Sequence, residues 1–144
     1  MSKKPSVYLA STLSNWRRVQ QIGRKLAEFG IGITHDWTVW GQEIENGISD
    51  LSPDALRKKA YLEVQGVLNA DAVAAIMPGG RGTHFELGLA YGMTMIGPDP
   101  TPLPLFILSD GDDGIPTSFH HLPCFEQFTS EDELVKTIAH RLLL

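Results

Sequence analysis

Short apolar runs alternate with longer amphipathic segments along the chain. The runs have the length and composition of β-strands, and the central ones are unbroken, which is typical of strands buried on both faces of a sheet. They predict strands over residues 6–10, 31–34, 72–77, 105–108 and 124–128. No internal repeat or low-complexity tract interrupts the alternation.

The segments between the strands carry apolar residues at steps of three and four, which is the period of an α-helix. One segment ends at Gly30, a residue that favours the carboxyl end of a helix, and another follows Ser52-Pro53, a typical helix start. The apolar stripe of this second helix consists of Leu56, Ala60, Tyr61, Val64, Val67 and Leu68. Helices are predicted over residues 16–29, 53–69, 83–95 and 130–142, and residues 38–52 are predicted as a loop with at most a helical turn.

This order of strands and helices predicts a single α/β domain over residues 1–144. Right-handed crossovers place helices on both faces of a parallel sheet, so we expect a three-layer doubly wound sandwich with five parallel strands in flavodoxin-like order. Ligands of such sheets bind outside the carboxyl ends of the strands. The segments to search for chemistry are therefore residues 10–14, 35–37, 78–86 and 109–114, the last of them an acidic turn.

Composition narrows the chemistry that such a domain can perform. The chain has 144 residues, 42% of them hydrophobic, with 12 Lys and Arg against 17 Asp and Glu, which gives a formal net charge of −5. This acidic balance argues against nucleic acid polymers and anionic membranes as partners. The single Cys124 excludes an intramolecular disulfide and a multi-cysteine metal site. Because no signal-peptide pattern or membrane-spanning apolar run is present, we expect a cytoplasmic protein.

The richest candidate segment is the glycine-rich run at residues 78–88. Backbone N–H groups around Gly79, Gly80 and Gly82 stand at a predicted helix start, where they can hold an anion or sugar hydroxyls. The run matches neither GxGxxG nor a Walker motif, which argues against a dinucleotide or NTP pocket. Glu86 falls in the first turn of the predicted helix, where the helix dipole keeps a carboxylate ionised, as a nucleophile requires. The same residues also fit a plain turn followed by an acidic helix start.

The remaining candidates each have a structural and a functional interpretation. Glu63 is either a solvated residue at the edge of its helical stripe or a proton donor, whereas Asp71 is better explained by a turn. Asp36 and Trp37 are either a capping residue and a packed indole, or the polar group and stacking wall of a nucleobase site. His120-His121 lacks a third ligand, so we expect no metal, and nothing in the sequence calls for a cofactor.

Three segments carry a similarity to a known family. They are Tyr8-Leu9-Ala10-Ser11, Ala70-Asp71-Ala72-Val73 and Gly82-Thr83-His84-Phe85-Glu86-Leu87-Gly88-Leu89-Ala90. Together they resemble the nucleoside 2-deoxyribosyltransferase family, which includes nucleoside 5′-monophosphate N-glycosidases. The similarity extends from about residue 7 to residue 108, and a weaker similarity is found at residues 119–123.

The resemblance implies a mechanism and its residues. Glu86 would attack the anomeric carbon of a 2-deoxyribosyl group and displace the base, and a second base or water would resolve the covalent glycosyl-enzyme. Tyr8 would orient Glu86 by a hydrogen bond. Glu63 falls where the family has an aspartate as its second acid, which is a departure from the family pattern.

The resemblance also implies which residues bind the nucleoside or nucleotide substrate. Asp36 and Trp37 would lie near the base. The sugar or a 5′-phosphate would contact Ser11, Gly79, Gly80, Arg81, Gly82 and Thr83. Ser118 or His120 would reach into the site of a neighbouring subunit, so a homo-oligomer is expected. Two alternatives stay open: a hydrolase of nucleoside 5′-monophosphates with the same nucleophile, and a non-catalytic nucleotide-binding module.

Overall fold

A five-stranded, all-parallel sheet forms the centre of the molecule, as the computed structural model shows for residues 3–98, 101–111 and 117–144. Its strand order is β2-β1-β3-β4-β5, which confirms the predicted three-layer, flavodoxin-like α/β fold. The strands are β1 Ser6–Ala10, β2 Gly32–Ile33, β3 Ala72–Ile76, β4 Leu105–Leu108 and β5 Phe125–Phe128. The helices are α1 Trp16–Glu28, α2 Thr38–Glu45, α3 Pro53–Leu68, α4 Arg81–Ile96 and α5 Glu131–Leu143. Residues 112–114 of the predicted acidic turn lie outside the described residues.

The sheet separates two helix layers. α1 packs with α5 to form the α1–α5 layer, and α3 packs with α4 to form the α3–α4 layer. Every residue of β3 and β4 is buried, because these strands have a strand on each side and a helix layer on each face. β1 pairs with β3 so that Ala10 lies opposite Ala75, and the loops that follow these two strands therefore meet at one edge.

The segment predicted as a loop at residues 38–52 instead contains a helix, α2. Its start is held by Asp36, whose carboxylate accepts a hydrogen bond from the backbone N–H of Thr38 at 3.0 Å. α2 packs closely on α1, since a Cβ on Gly41 would lie 2.8 Å from the Cβ of Trp16. The Trp16 indole N–H also donates to Glu45 at 2.6 Å. These contacts come from α1, so a local apolar pattern does not reveal the helix.

The apolar stripe predicted for α3 is only partly the buried face of that helix. Tyr61 and Leu68 belong to the stripe, yet they are 65% and 42% exposed. The buried residues of α3 are Gly66 and Val67. A Cβ on Gly66 would lie 2.8 Å from the ring of Tyr8, so the helix backbone rests directly on this ring. Leu56, Tyr61 and Leu68 of the stripe are exposed, because the face of α3 near Gly66 is the one that meets the sheet.

The amino-terminal edge of the sheet confirms the structural interpretation of Asp71. Its carboxylate accepts a hydrogen bond from the backbone N–H of Ser6 at 2.8 Å, and its own N–H donates to the Ser6 carbonyl at 2.8 Å. Asp71 thus joins the starts of β1 and β3, at the opposite end of the sheet from the glycine-rich loop. Cys124 is half-buried and packs against the core.

Candidate active site

Glu86 lies on the buried side of α4, just beyond the carboxyl end of β3. The loop between them is joined to the helix start by a hydrogen bond from the Gly80 backbone N–H to Thr83 Oγ1, at 2.9 Å. α4 begins at Arg81, two residues before the predicted start, so Glu86 belongs to the second turn of the helix and not to the first. The expected influence of the helix dipole is therefore weak, because it falls off within the first turn.

Burial controls the protonation of Glu86. The side chain is 7% exposed and accepts a hydrogen bond from the hydroxyl of Tyr8. Burial raises the pKa of Glu86 to about 8, against an opposing effect of the Tyr8 hydrogen bond and with a small addition from Glu63. The expectation that the helix dipole keeps this carboxylate ionised was therefore wrong. Burial and the neighbouring Glu86 also raise the pKa of Tyr8, so its hydroxyl stays a neutral donor.

A cavity of about 380 Å³ brings Glu86 and Glu63 together. Glu63 lies on α3, lines the cavity together with the glycine-rich loop, and is half-buried. Burial raises the pKa of Glu63, while the nearby Lys59 lowers it. The cavity thus contains two carboxyl groups that both hold a proton more tightly than an exposed glutamate does. Of the two, Glu86 accepts a hydrogen bond from Tyr8 on β1, and this contact distinguishes its chemical role from that of Glu63.

Several predicted site residues line this cavity together. They are Ser11, Trp37, Glu63, Gly80, Arg81, Gly82, Thr83 and Glu86. Tyr8 is buried and contacts the site through Glu86. Gly79 and Asp36 are not among the lining residues. Gly79 packs against Thr83, and Asp36 caps α2 and lines a smaller neighbouring cavity of about 160 Å³.

Two lining residues also hold the framework together. The Ser11 hydroxyl donates to the carbonyl of Ile76 at 2.6 Å, which joins the carboxyl ends of β1 and β3. Trp37 is 4% exposed, and its indole N–H donates to the carbonyl of Leu9 at 2.6 Å. The packed interpretation of Trp37 and the capping interpretation of Asp36 are therefore confirmed, while Trp37 still contributes to the cavity wall.

The sequence prediction missed Trp40 and Lys59. The Lys59 ammonium nitrogen lies 4.8 Å from the centre of the Trp40 ring. Both residues line the 380 Å³ cavity and the smaller neighbouring one, and Trp37 and Glu63 are shared in the same way. Lys59 precedes Glu63 by one helical turn, so the helical period of α3 was a signal that could have placed the two side chains on one face.

The arginines near the site differ in whether they form ion pairs. Arg17 pairs with Glu45 at 3.0 Å, and Arg18 pairs with Asp110 and Glu131. Arg81 is exposed and lines the cavity, and within the part of the chain that the structure describes it forms no ion pair. Among these three arginines, Arg81 is therefore the one available to an anionic group on a ligand.

Ser118 and His120 do not line the Glu86 cavity of their own chain. They lie on a short 3-10 helix, Ser118–His121, where Ser118 is exposed and the His120 ring stacks on His84 with 5.2 Å between ring centres. His120 instead lines a separate, mainly apolar cavity of about 790 Å³ on another face of α4. Their contribution to the site of a partner subunit stays a prediction.

The described residues contain neither a helix long and apolar enough to cross a bilayer nor a cluster of three or more His, Cys, Asp or Glu side chains suited to a metal ion. Comparison with protein-family models finds no match for this chain, and comparison with curated proteins finds none either.

Proposed function

We propose that this protein is a nucleoside 2-deoxyribosyltransferase that cleaves an N-glycosidic bond and transfers the sugar to another base. The observation that carries this proposal is the buried Glu86 carboxyl group, which accepts a hydrogen bond from Tyr8 and shares a cavity with Glu63. The similarity of the segments around Tyr8, Asp71 and Glu86 to the deoxyribosyltransferase family supports the same reaction. The volume of the cavity, about 380 Å³, is in the range of small-molecule sites.

In the proposed reaction, the ionised Glu86 carboxylate attacks the anomeric carbon as the bond to the base nitrogen breaks. The bonding electron pair leaves with the base, and Glu63 donates a proton to it. An acceptor base then attacks the same carbon, Glu63 takes up its proton, and the bond to Glu86 breaks. Two displacements at one carbon give net retention of configuration. Because the pKa of Glu86 is about 8, its nucleophilic form predominates only above that pH.

We also propose that the protein is a homo-oligomer that associates through the α3–α4 layer. Large apolar side chains on α3, on α4 and on the 3-10 helix are exposed: Tyr61, Leu68, Phe85, Met95, Ile96 and Phe119. Exposed large apolar side chains are typical of contact sites between proteins where they lie together on one surface. Ser118 and His120 flank the exposed Phe119, which supports the hypothesis that they complete a partner's site.

A specific observation favours a second candidate, hydrolysis of nucleoside 5′-monophosphates. Arg81 stands at the cavity mouth beside the glycine-rich loop, without an ion pair within residues 3–98, 101–111 and 117–144. A guanidinium and backbone N–H groups together suit a phosphate. Water would then resolve the glycosyl-enzyme in place of a second base. A non-catalytic nucleotide-binding module is the third reading, because Glu63 departs from the family's aspartate.

The first experiment separates these functions by their products. The protein is incubated with a deoxynucleoside and a different free base, and then with a deoxynucleoside monophosphate alone. Base exchange without release of sugar identifies a transferase, and free deoxyribose or its 5-phosphate identifies a hydrolase. Binding of nucleosides without any turnover would identify a binding module.

The second experiment tests the nucleophile. Glu86→Gln is expected to lower the rate of base exchange by at least about 10³-fold, because the variant cannot form the glycosyl bond. Glu133→Gln, which removes an exposed carboxylate from α5, is the control and should keep the wild-type rate. Intact-mass spectrometry with a slow 2-fluoro-2-deoxynucleoside should show a glycosyl adduct on the wild type and none on Glu86→Gln. An adduct or full activity in Glu86→Gln would show that another group is the nucleophile.

A further inference from the structure

Lys59 is a cation at the site that the proposed reaction does not yet use. Its ammonium nitrogen lies 4.8 Å from the ring centre of Trp40, a contact that holds the cation through the π-face of the indole. In the part of the chain that the structure describes, Lys59 forms neither a hydrogen bond nor an ion pair. Lys59 is half-buried between the two cavities that Trp40 and Glu63 also line.

An ammonium group carries three N–H donors and no acceptor. The contact with Trp40 stabilises the charge but satisfies none of these donors, because a π-face lacks a directed lone pair. These donors are therefore free to bond an acceptor on a ligand that replaces water in the cavity. Lys59 therefore suits a ligand atom with a lone pair, such as a carbonyl oxygen, and repels an amino group in the same position.

The position of Lys59 relative to Glu63 indicates which part of a ligand Lys59 contacts. The two residues are one turn apart on α3 and line the same two cavities. Under the proposed function, on which this inference rests, Glu63 donates its proton to the departing base. The base then lies against the shared wall, with its far edge toward Lys59 and Trp40, and the sugar lies toward Glu86.

We propose that Lys59 selects the base, by donating a hydrogen bond to a carbonyl oxygen on the edge of the ring. The site would then favour 6-oxopurines over 6-aminopurines and 4-oxopyrimidines over 4-aminopyrimidines. The same bond stabilises the negative charge that the base gains as its glycosidic bond breaks, so the preference is expressed in the rate as well as in binding.

The test uses two pairs of substrates that differ at one position of the base. 2′-Deoxyinosine is compared with 2′-deoxyadenosine, and 2′-deoxyuridine with 2′-deoxycytidine. A hydrogen bond from a charged group corresponds to a preference of about 10- to 100-fold, so we expect the wild type to favour the oxo member of each pair by this factor in kcat/KM. Lys59→Met should reduce the preference to less than about threefold, chiefly by slowing the oxo substrates.

Two further variants serve as controls. Lys58→Met removes a lysine from the exposed side of the same helix and should leave both preferences unchanged. Lys59→Arg keeps the donors and the charge, so it should retain most of the preference. The loss of Lys59 also changes the pKa of Glu63, but this effect is common to both members of a pair and cancels in their ratio.

The outcomes separate this inference from the proposed function. Base exchange or hydrolysis without an oxo preference, or an equal loss for both substrates in Lys59→Met, would overturn the role of Lys59 and leave the reaction intact. If no nucleoside is turned over, direct binding of the four nucleosides to Glu86→Gln is measured. An oxo preference in binding that Lys59→Met removes would support the selectivity without the reaction, and absence of binding would overturn both.

Discussion

The two helix layers of this protein differ in the side chains that they bury and expose. In the α1–α5 layer, apolar side chains face the sheet and charged side chains face outward. α1 buries Trp16, Val19, Ile22 and Leu26 at helical spacing. On its outer side Lys25 pairs with Glu131 at 2.5 Å, and Arg18 pairs with the same glutamate at 3.1 Å, which joins α1 to α5. This layer has the amphipathic pattern expected of a helix that serves packing alone.

The α3–α4 layer buries polar side chains beside apolar ones and also exposes large apolar side chains. α4 buries Thr83 and Glu86 together with Leu87 and Ala90, and α3 buries Gly66 and Val67. The exposed apolar residues of the layer include Tyr61 and Phe85. The difference teaches that α1 and α5 bury apolar side chains alone, whereas α4 gives two of its buried positions to polar side chains, one of which is the carboxyl group of the candidate site.

The largest expected effect is on the free energy of unfolding, and it tests how much the burial of the Glu86 carboxyl group destabilises the folded chain. The pKa of Glu86 is about 8 in the folded chain, against an ordinary 4.5, so between these values the folded chain holds a proton that the unfolded chain has released. The free energy of unfolding therefore falls as pH rises through this window, by about 4 kcal/mol. Glu86→Gln should remove this fall, as urea denaturation from about pH 5 to about pH 9 would measure. An unchanged pH profile in Glu86→Gln would contradict the assignment of the cost to this group.

The second effect tests the outer surface of the α3–α4 layer. Tyr61→Glu should raise the dissociation constant between subunits by about 30-fold or more, because a charge is then buried in an apolar contact. Gln21→Glu makes the same change of charge on the exposed side of α1 and should leave association unchanged. Sedimentation velocity over a range of concentrations measures both. A wild type that is monomeric throughout, or equal weakening by both variants, would contradict association through this layer.

The third effect compares two helical glycines, one from each layer. A Cβ on Gly66 of α3 would lie 2.8 Å from the Tyr8 ring, whereas a Cβ on Gly23 of α1 would meet only Ile33, at 3.5 Å. Gly66→Ala should therefore lower the free energy of unfolding by about 2 kcal/mol and move the ring that holds Glu86. Gly23→Ala should raise it by about 0.5–1 kcal/mol, since alanine favours helix and the space is open.

Urea denaturation of both alanine variants, together with their rates of base exchange, measures this comparison. Effects of the same sign would show that the close approach of α3 to Tyr8 is not a constraint. A loss of activity in Gly66→Ala at temperatures where the variant is fully folded would support the link from α3 through Tyr8 to Glu86.

The smallest effect tests the ion pairs of the α1–α5 layer. Glu131→Gln removes the carboxylate that Arg18 and Lys25 share, and it should lower the free energy of unfolding by about 1 kcal/mol. The loss should shrink in about 1 M salt, because salt screens partly exposed charges, and the rate of base exchange should not change. A loss as large as that expected for Gly66→Ala would show that these pairs are more than a surface contact between helices.

The accuracy with which the sequence predicted the helices and strands differs between the same two layers. The limits of β1, β4 and α1 followed closely from the sequence, because residues buried on a whole strand or along one helical face leave a regular apolar pattern. The apolar stripe of α3 does not mark the buried face of the helix, because Tyr61 and Leu68 are apolar and yet face outward. α2 was missed because its stability depends on Asp36 and on packing against α1, which a local pattern does not contain.

The candidate site shows the same division. Glu86 could be found from the glycine-rich run and from the family resemblance, and the helical position of Glu63 was also evident. The pKa of Glu86 could not be inferred, because it depends on burial beneath residues from distant parts of the chain. Trp40 was missed with the helix that carries it, and Lys59 was overlooked although its spacing from Glu63 was visible.

By itself, the sequence determined a parallel α/β domain, the positions of its strands and the segment that carries the candidate nucleophile. These features depend on short-range patterns of apolar residues, turn residues and glycine. Only the tertiary structure decided that Glu86 is buried, that Gly66 rests on the Tyr8 ring, and that Lys59 lies over Trp40. The physical reason is that burial, and with it protonation and partner choice, arises between segments that are far apart along the chain.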